Sequence, residues 1–355
     1  CRLKAPFCIL GAAFAVFASG CRTHVAMRKA ADEADFYVST LGNDRWSGRY
    51  SVPAPAGTDG PFATLARARD AARTARATDH AAGTPLRIVV REGVYRLSEP
   101  LLLEPRDSHL HIEGATGEDV VISGGCRALG WTRREGGLLQ CDISGLGLPD
   151  AAVRELYYNG MLMQWARTPN FDPKHPRTGG FLQNENVVEA NTKTKFRYRD
   201  GDLRPATWSR PEDAWIQFHD SLNYETQCCP VKSIDVELRI VEAAKGVYVL
   251  SRGNPFYLCG ILEELDVPGE WCVAADGKTL HFYPPSGDPN AEDEVIIPSA
   301  VAAFVLKGDP EHDRWVQGVR LINLAIRDVR GRAIELFGAR DCAISACDLR
   351  NAEVG

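Results

Sequence analysis

Residues 319–328 read VRLINLAIRD, and residues 342–351 read CAISACDLRN. Val319, Leu321, Leu324 and Ile326 thus return 23 residues later as Cys342, Ile344, Cys347 and Leu349, with apolar side chains alternating in each stretch. A repeat of roughly 20–29 residues marks a solenoid, whose units are each too small to bury their own apolar face. Short alternating strands at that period, with no helical segment between them, predict a parallel β-helix and not a leucine-rich or helical repeat. The last unit has no later strand to pair with, and open sheet edges are normally covered. The chain therefore reads as the front part of a longer protein.

Upstream, the alternation recurs at LRIVV (Leu86, Ile88, Val90), LLL (Leu101, Leu103), LHI (Leu110, Ile112) and VVI (Val120, Ile122). Leu101 to Val120 and Leu103 to Ile122 are both 19 apart, and Ile88 to Leu110 is 22, which reads as first coils with irregular loops. Ahead of them, Phe36 and Val38 alternate before the turn residues Gly42-Asn43-Asp44. In GPFATLARARDAARTARAT, Thr64 is placed to cap a helix of about three turns whose narrow apolar stripe is Leu65, Ala68 and Ala72. Such a helix suits the N-terminal mouth of a solenoid, where the first coil would otherwise expose its core.

From about 126 to 300 the rhythm changes. Asn159-Gly160 separates LYY from MLMQWA, and Asp276-Gly277 separates WCVAA from KTLHFY. Asn-Gly and Asp-Gly between alternating strands are strong hairpin signals. Antiparallel hairpins cannot be coils of a parallel solenoid. The expected fold is therefore all-β, a right-handed parallel β-helix with an inserted antiparallel β-sandwich-like domain and a short N-terminal capping helix. Its parts are coils at 36–125, the insertion at 126–300, and coils again at 301–355.

The first residues, CRLKAPFCILGAAFAVFASGC, combine a positive start (Arg2, Lys4), an apolar run from Pro6 to Phe17 and the small residues Ala18-Ser19-Gly20. That is the pattern of an export signal at 1–21, too short to span a bilayer as a stable anchor. Cys21 after Ser-Gly resembles a bacterial lipoprotein signal, so plain secretion and lipidation at Cys21 both stay open. Residues 22–35 read as a polar tether. Secretion or residence in the cell envelope is expected, with membrane contact only through the signal or a lipid. The chain lacks an initiator Met, which reads as one or more residues missing before Cys1.

At 355 residues, 45% hydrophobic and 25% charged, the composition is that of a soluble globular protein. Net charge is −6, and the basic residues are scattered, so nucleic acid is not an expected partner. Of eleven cysteines, three lie in the export segment. No C-x-x-C pair marks a zinc site. Cys126 with Cys141 could bridge the start of the insertion, while Cys342 and Cys347 occupy core-facing repeat positions.

Several stretches resemble, in order, secreted right-handed β-helix proteins related to glycoside hydrolase family 141. They are FYVSTLGND, GPFATLARARDAAR, VVREGVYRLSEPLLL, VISGG, LYYNG-MLMQWARTPN, ILEELDVPGEW and DGKTLHFYPP, spread over residues 36 to 351 together with the repeat. The resemblance implies a β-helix interrupted by a β-sandwich, acting on plant or algal glycans such as fucosides or xylans. HDSLNYETQCCPVKSID departs from that pattern, Phe218-His219-Asp220-Ser221 matching it only in part. The resemblance further implies that the catalytic carboxylates would fall on coils beyond Gly355.

Glycoside hydrolysis needs two carboxyl groups, an acid and a base or nucleophile. Coils stack ~4.8 Å apart, so acids one coil apart approach the ~5–5.5 Å of a retaining pair. Asp328 aligns with Asn351 at an offset of 23, an acid over an amide. Asp220, Glu335 and Asp348 are the candidate catalytic acids; each also fits a solvated turn or cap, as do Asp341 and Glu353. In the insertion, Trp165, Arg167 and Asn170, beside Tyr157 and Tyr158, form the densest set of groups able to stack on pyranose rings or bond hydroxyls. Packing within the insertion is the competing role for Trp165, and Arg167 also reads as a junction residue. His219, Asp220 and Glu225 form a second polar focus. Phosphate-loop, dinucleotide, zinc-protease and serine-esterase motifs are absent. No cofactor is implied, and no acidic cluster supports a structural Ca²⁺. The expected partner is a polysaccharide or oligosaccharide. The rivals are a polysaccharide lyase and a non-catalytic surface glycan-binding scaffold or adhesin.

Overall fold

The three-residue strands of the quoted repeats pair in parallel, each with its echo. In a computed structural model describing residues 34–78, 83–148, 153–176, 178–222, 224–287 and 293–352, Leu321 lies beside Ile344 and Ile326 beside Leu349. The export segment with Cys21, the tether up to residue 33 and Glu353 lie outside the described residues.

Three parallel sheets of three or more strands result, beside a two-stranded parallel one of Val316–Gln317 and Ala339–Arg340. The first orders Phe36–Val38, Leu86–Val90, Leu110–Gly114, Arg320–Ile322 and Ala343–Ser345. The second orders Gly93–Arg96, Val120–Ser123, Ala325–Arg327 and Asp348–Arg350. The third holds Leu101–Leu103, Phe304–Lys307 and Ile334–Phe337. From Leu86 onward the chain visits first, second and third sheet in rotation, so every circuit adds one strand to each. Inward side chains of successive circuits then stack into one core, including Ile88, Ile112, Leu321, Ile122, Ile326, Phe304 and Leu306. Each such burial contributes about 1.5–3 kcal/mol, offset by the ordering of chain and side chain.

The register of the first circuits corrects the spacing read from sequence. Ile88 pairs with Ile112 and not Leu110; Val120 pairs with Gly93, and Leu101 pairs with Phe304. A period-2 pattern in strands of three to five residues is satisfied by several alignments, and here unequal corner loops choose among them.

Corners repeat as faithfully as strands. Gly318 and Asp341, Asn323 and Ala346, and Asp328 and Asn351 are pairs one circuit apart, and all six have positive φ between 52° and 66°. Asn and Asp tolerate this left-handed backbone better than most residues. The Asn323 side chain also donates to the carbonyls of Gly114 and Ala115, each at 3.1 Å.

Among the described residues one α-helix occurs, Leu65–Thr78, so the class is all-β. Thr64 caps it as expected, its hydroxyl accepting the Arg67 amide at 3.1 Å. Leu65, Ala68, Ala71 and Ala72 are buried, and the helix packs against the edge strand Phe36–Val38 and its neighbour Leu86–Val90. No described helix is long and apolar enough to cross a membrane.

Between Ser123 and Phe304 the pairing becomes almost wholly antiparallel. Tyr157–Tyr158 and Met161–Leu162 form a tight hairpin through Asn159 (φ 50°) and Gly160 (φ 76°). Glu270–Val273 and Thr279–Phe282 form another, with Gly277 at φ 67° in its loop. The exception is Gln164–Trp165, which runs parallel to Glu270–Val273. One core gathers Tyr158, Trp271, Leu280 and Phe282; a second gathers Phe196, Phe218, Phe256 and Leu258.

Cys126 and Cys141, the pair considered for a bridge, are free thiols held in different sheets, beside Ile297 and Leu280 respectively. Cys342 and Cys347 are partly buried and pack on the core of the parallel stack.

Candidate functional site

The parallel register of Gln164–Trp165 with Glu270–Val273 sets Trp165 beside Trp271, and the two indoles stack at 5.8 Å with 9° between planes. Trp271 is buried, so it holds the plane of its half-exposed neighbour. Trp215, which opens the strand Trp215–His219, lies 5.7 Å from Trp165. Gly260 makes this approach feasible: at φ +77°, a Cβ there would sit 2.9 Å from the Trp165 ring. The guanidinium of Arg154 covers one face of Trp215 at 4.2 Å.

Trp165 and Trp215 line a cleft of about 900 Å³ where the sheet holding Trp271 meets the sheet holding Trp215. Glu212, Asp213 and Glu263 line it too, together with Arg210, Asp276 and Lys278. Arg210 is bound to Asp213 at 2.5 Å and lies 3.6 Å from Glu212. Desolvation opposes the charge of Glu263, but bonds from Ser209, including its amide at 2.8 Å, hold the carboxyl below its ordinary value. The Lys278 and Thr279 amides do the same for Asp276, at 2.7 and 2.9 Å. The cleft thus sets two half-exposed indoles, each with one face already packed, beside the carboxylates of Glu263 and Asp276.

The other sequence candidates disperse. Arg167 is 3% exposed, its Nε donating to the Pro169 carbonyl at 3.0 Å and Nη2 to the Gly180 carbonyl, with the guanidinium 3.4 Å from the Tyr257 ring centre. It clamps a loop. Asn170 donates to Asp266 at 2.9 Å. Asp220 is fully buried; its Oδ1 accepts the Tyr224 and Glu225 amides at 2.8 and 3.2 Å, which braces a turn. His219 instead meets Thr226 at 2.9 Å. Glu335 points outward beside Val305 on the third sheet, while Asp348 is exposed on the second and bonded to Arg350 at 3.0 Å. The three candidate acids therefore occupy three different sheets or loops.

Asp328 meets Asn351 as the spacing predicts: Nδ2 donates to Oδ1 at 2.8 Å, and the Ser123 hydroxyl donates to Oδ2 at 3.0 Å. Two further residues escaped the sequence reading. Trp215 carries a signal, since WIQFH alternates, but nothing in sequence places it beside Trp165. Glu270 is 1% exposed, and burial raises its carboxyl to about 7 against the Asp266, Val267 and Arg167 backbone amides. Read within ILEELDVPGEW, it looks like part of a solvated charge run.

No protein-family model and no curated protein matches this chain. Among solved structures, one described as "Glycoside hydrolase" matches with a TM-score of 0.66 and 24% identity, covering 83% of this chain and 50% of that one. The likeness is one of fold, and the chain spans about half the length of that protein. XylC, solved with xylose, matches at 16% identity and TM-score 0.34 over 83% of this chain and 35% of its own. A tailspike of Acinetobacter baumannii bacteriophage AP22, solved with a capsular saccharide, matches at 10% identity and TM-score 0.17 over 79% and 43%. Superpositions that loose carry no argument.

Proposed function

We propose that the three-sheet stack is a right-handed parallel β-helix with the segment 126–300 inserted into it. On this reading the protein is an exported carbohydrate-active enzyme, a glycoside hydrolase related to family 141 and acting on plant or algal polysaccharide. The observation that carries the reading is the rotation of strands among parallel sheets, 23 residues per circuit at Leu321–Ile344 and Ile326–Leu349, in a chain whose fold resembles that of a protein described as "Glycoside hydrolase". A stack of this kind can bring two carboxylates to working distance, because adjacent circuits lie ~4.8 Å apart. Among the described residues, Asp348 pairs with Ala325, Glu335 with Val305, and Asp328 meets Asn351. No stacked acid pair arises from them, so the proposal assigns the pair to circuits beyond residue 352.

The test is to incubate the full-length protein with plant and algal polysaccharides and measure reducing ends. Release is the expected result. Unsaturated products absorbing in the near ultraviolet would replace hydrolysis with elimination by a lyase. Binding with no turnover on any substrate would make the protein a glycan-binding scaffold.

A further inference from the structure

We infer that the cleft holding Trp165 and Trp215 is a binding site for an uncharged glycan chain. The inference rests on the glycan-acting reading above and deepens it in two ways: it places recognition in the antiparallel segment, and it names the charge of the ligand.

The cleft's volume of about 900 Å³ lies within the roughly 300–1,000 Å³ of sites that enclose small ligands, enough for a short oligosaccharide. Its aromatic surface is preorganised. Trp165 is pinned by its stack on buried Trp271, and Trp215 by Arg154, so little side-chain freedom remains to be lost on binding. Indole faces suit the C–H faces of pyranose or pentose rings, and the polar rim suits their hydroxyls.

Charge selects among glycans. The lining carries four carboxylates, those of Glu212, Asp213, Glu263 and Asp276, against the two cations Arg210 and Lys278. Arg210 is already bound to Asp213, and Arg154, outside the lining, lies over Trp215. The excess is negative, and the hydrogen bonds to Glu263 and Asp276 keep it so. A uronate or sulfated chain would give up its hydration facing like charge at short range, whereas a neutral chain finds acceptors for its hydroxyls. The same argument excludes nucleotides and other phosphates.

The test is calorimetric titration of the full-length chain with xylo- and cello-oligosaccharides, and with oligogalacturonates as the acidic counterpart, alongside indole fluorescence. Neutral chains are expected to bind and perturb the indole emission, with oligogalacturonates at least about tenfold weaker, the factor that corresponds to 1.4 kcal/mol. Trp215→Ala should weaken neutral binding by about tenfold, given the size of one aromatic contact. Trp165→Ala removes a packed indole, so Asp213→Asn and Glu263→Gln supply an independent arm. These should narrow the preference for neutral over acidic chains by strengthening oligogalacturonate binding, because the rim charge is reduced while the indoles stay in place. Equal affinity for neutral and acidic chains would overturn the charge assignment. Neutral binding unchanged in a folded Trp215→Ala protein would overturn the site. Loss of all oligosaccharide binding beside continued release of reducing ends would sink the cleft and leave the hydrolase reading standing; loss of both would sink both.

Discussion

Asp328 and Asn351 occupy one corner of successive circuits, both in left-handed backbone and joined side chain to side chain at 2.8 Å. An amide over a carboxylate is a self-consistent ladder, since one donates and the other accepts. Asn351→Asp would set two carboxylates in contact. Destabilisation of about 1–3 kcal/mol at neutral pH is expected, relieved on acidification as the pair comes to share a proton. Urea unfolding midpoints at pH 7 and pH 4.5 measure it. Glu270 offers a second titration. Folded, its carboxyl keeps its proton up to about pH 7; unfolded, it releases it near 4.5. Its contribution to stability is thus greatest below about 4.5 and declines as pH rises through 7, by about 3 kcal/mol across that window. Glu270→Gln should remove this part of the decline, so the gap between melting temperatures at pH 5 and pH 8 narrows relative to the parent. An unchanged gap would show that Glu270 is ionised in the folded protein at both pH values. None of this was legible in sequence for Glu270, because charge runs look alike whether solvated or enclosed. For Asp328 the 23-residue offset alone named the partner.

At the scale of elements, local chemistry and local structure agree wherever the signal is short in range. Thr64 caps its helix, and Asn159-Gly160 turns its hairpin, because a side-chain oxygen at a helix start and positive φ at a tight turn are local requirements. Strand register is different. Leu101 pairs with Phe304, more than two hundred residues on, a partner no offset among the early coils could supply. Corner packing depends on the same long-range neighbours. Gly114 has ordinary φ, yet a Cβ there would lie 2.0 Å from the Asn323 carbonyl oxygen, backbone against backbone. Gly114→Ala should therefore cost about 3 kcal/mol, read from chemical denaturation. Gly145→Ala, with open space around its Cβ, should shift the midpoint little and serves as control. Equal effects at the two positions would show that the corner yields more easily than its backbone contacts imply.

At the scale of the molecule, two kinds of sheet divide the work. The parallel stack buries its core through repetition, and its outermost strands here present Leu336, Phe337, Ile344 and Leu349 to solvent, each at least 43% exposed. The proposed hydrolysis assigns its acids to circuits of this parallel kind. The antiparallel segment builds the cleft, where glycan recognition is proposed. Assays of turnover and of binding thus probe different parts of one chain.

The sequence by itself determined the period, the strand alternation, the turn and cap chemistry and the Asp328–Asn351 ladder. These are set by neighbours along the chain or by an identical offset repeated once. The tertiary structure alone decided the register of the first circuits, the burial of Glu270, and the meeting of Trp165 with Trp215. Each depends on strands brought together from distant parts of the chain, and no periodicity encodes which of several equally apolar partners a short strand will take.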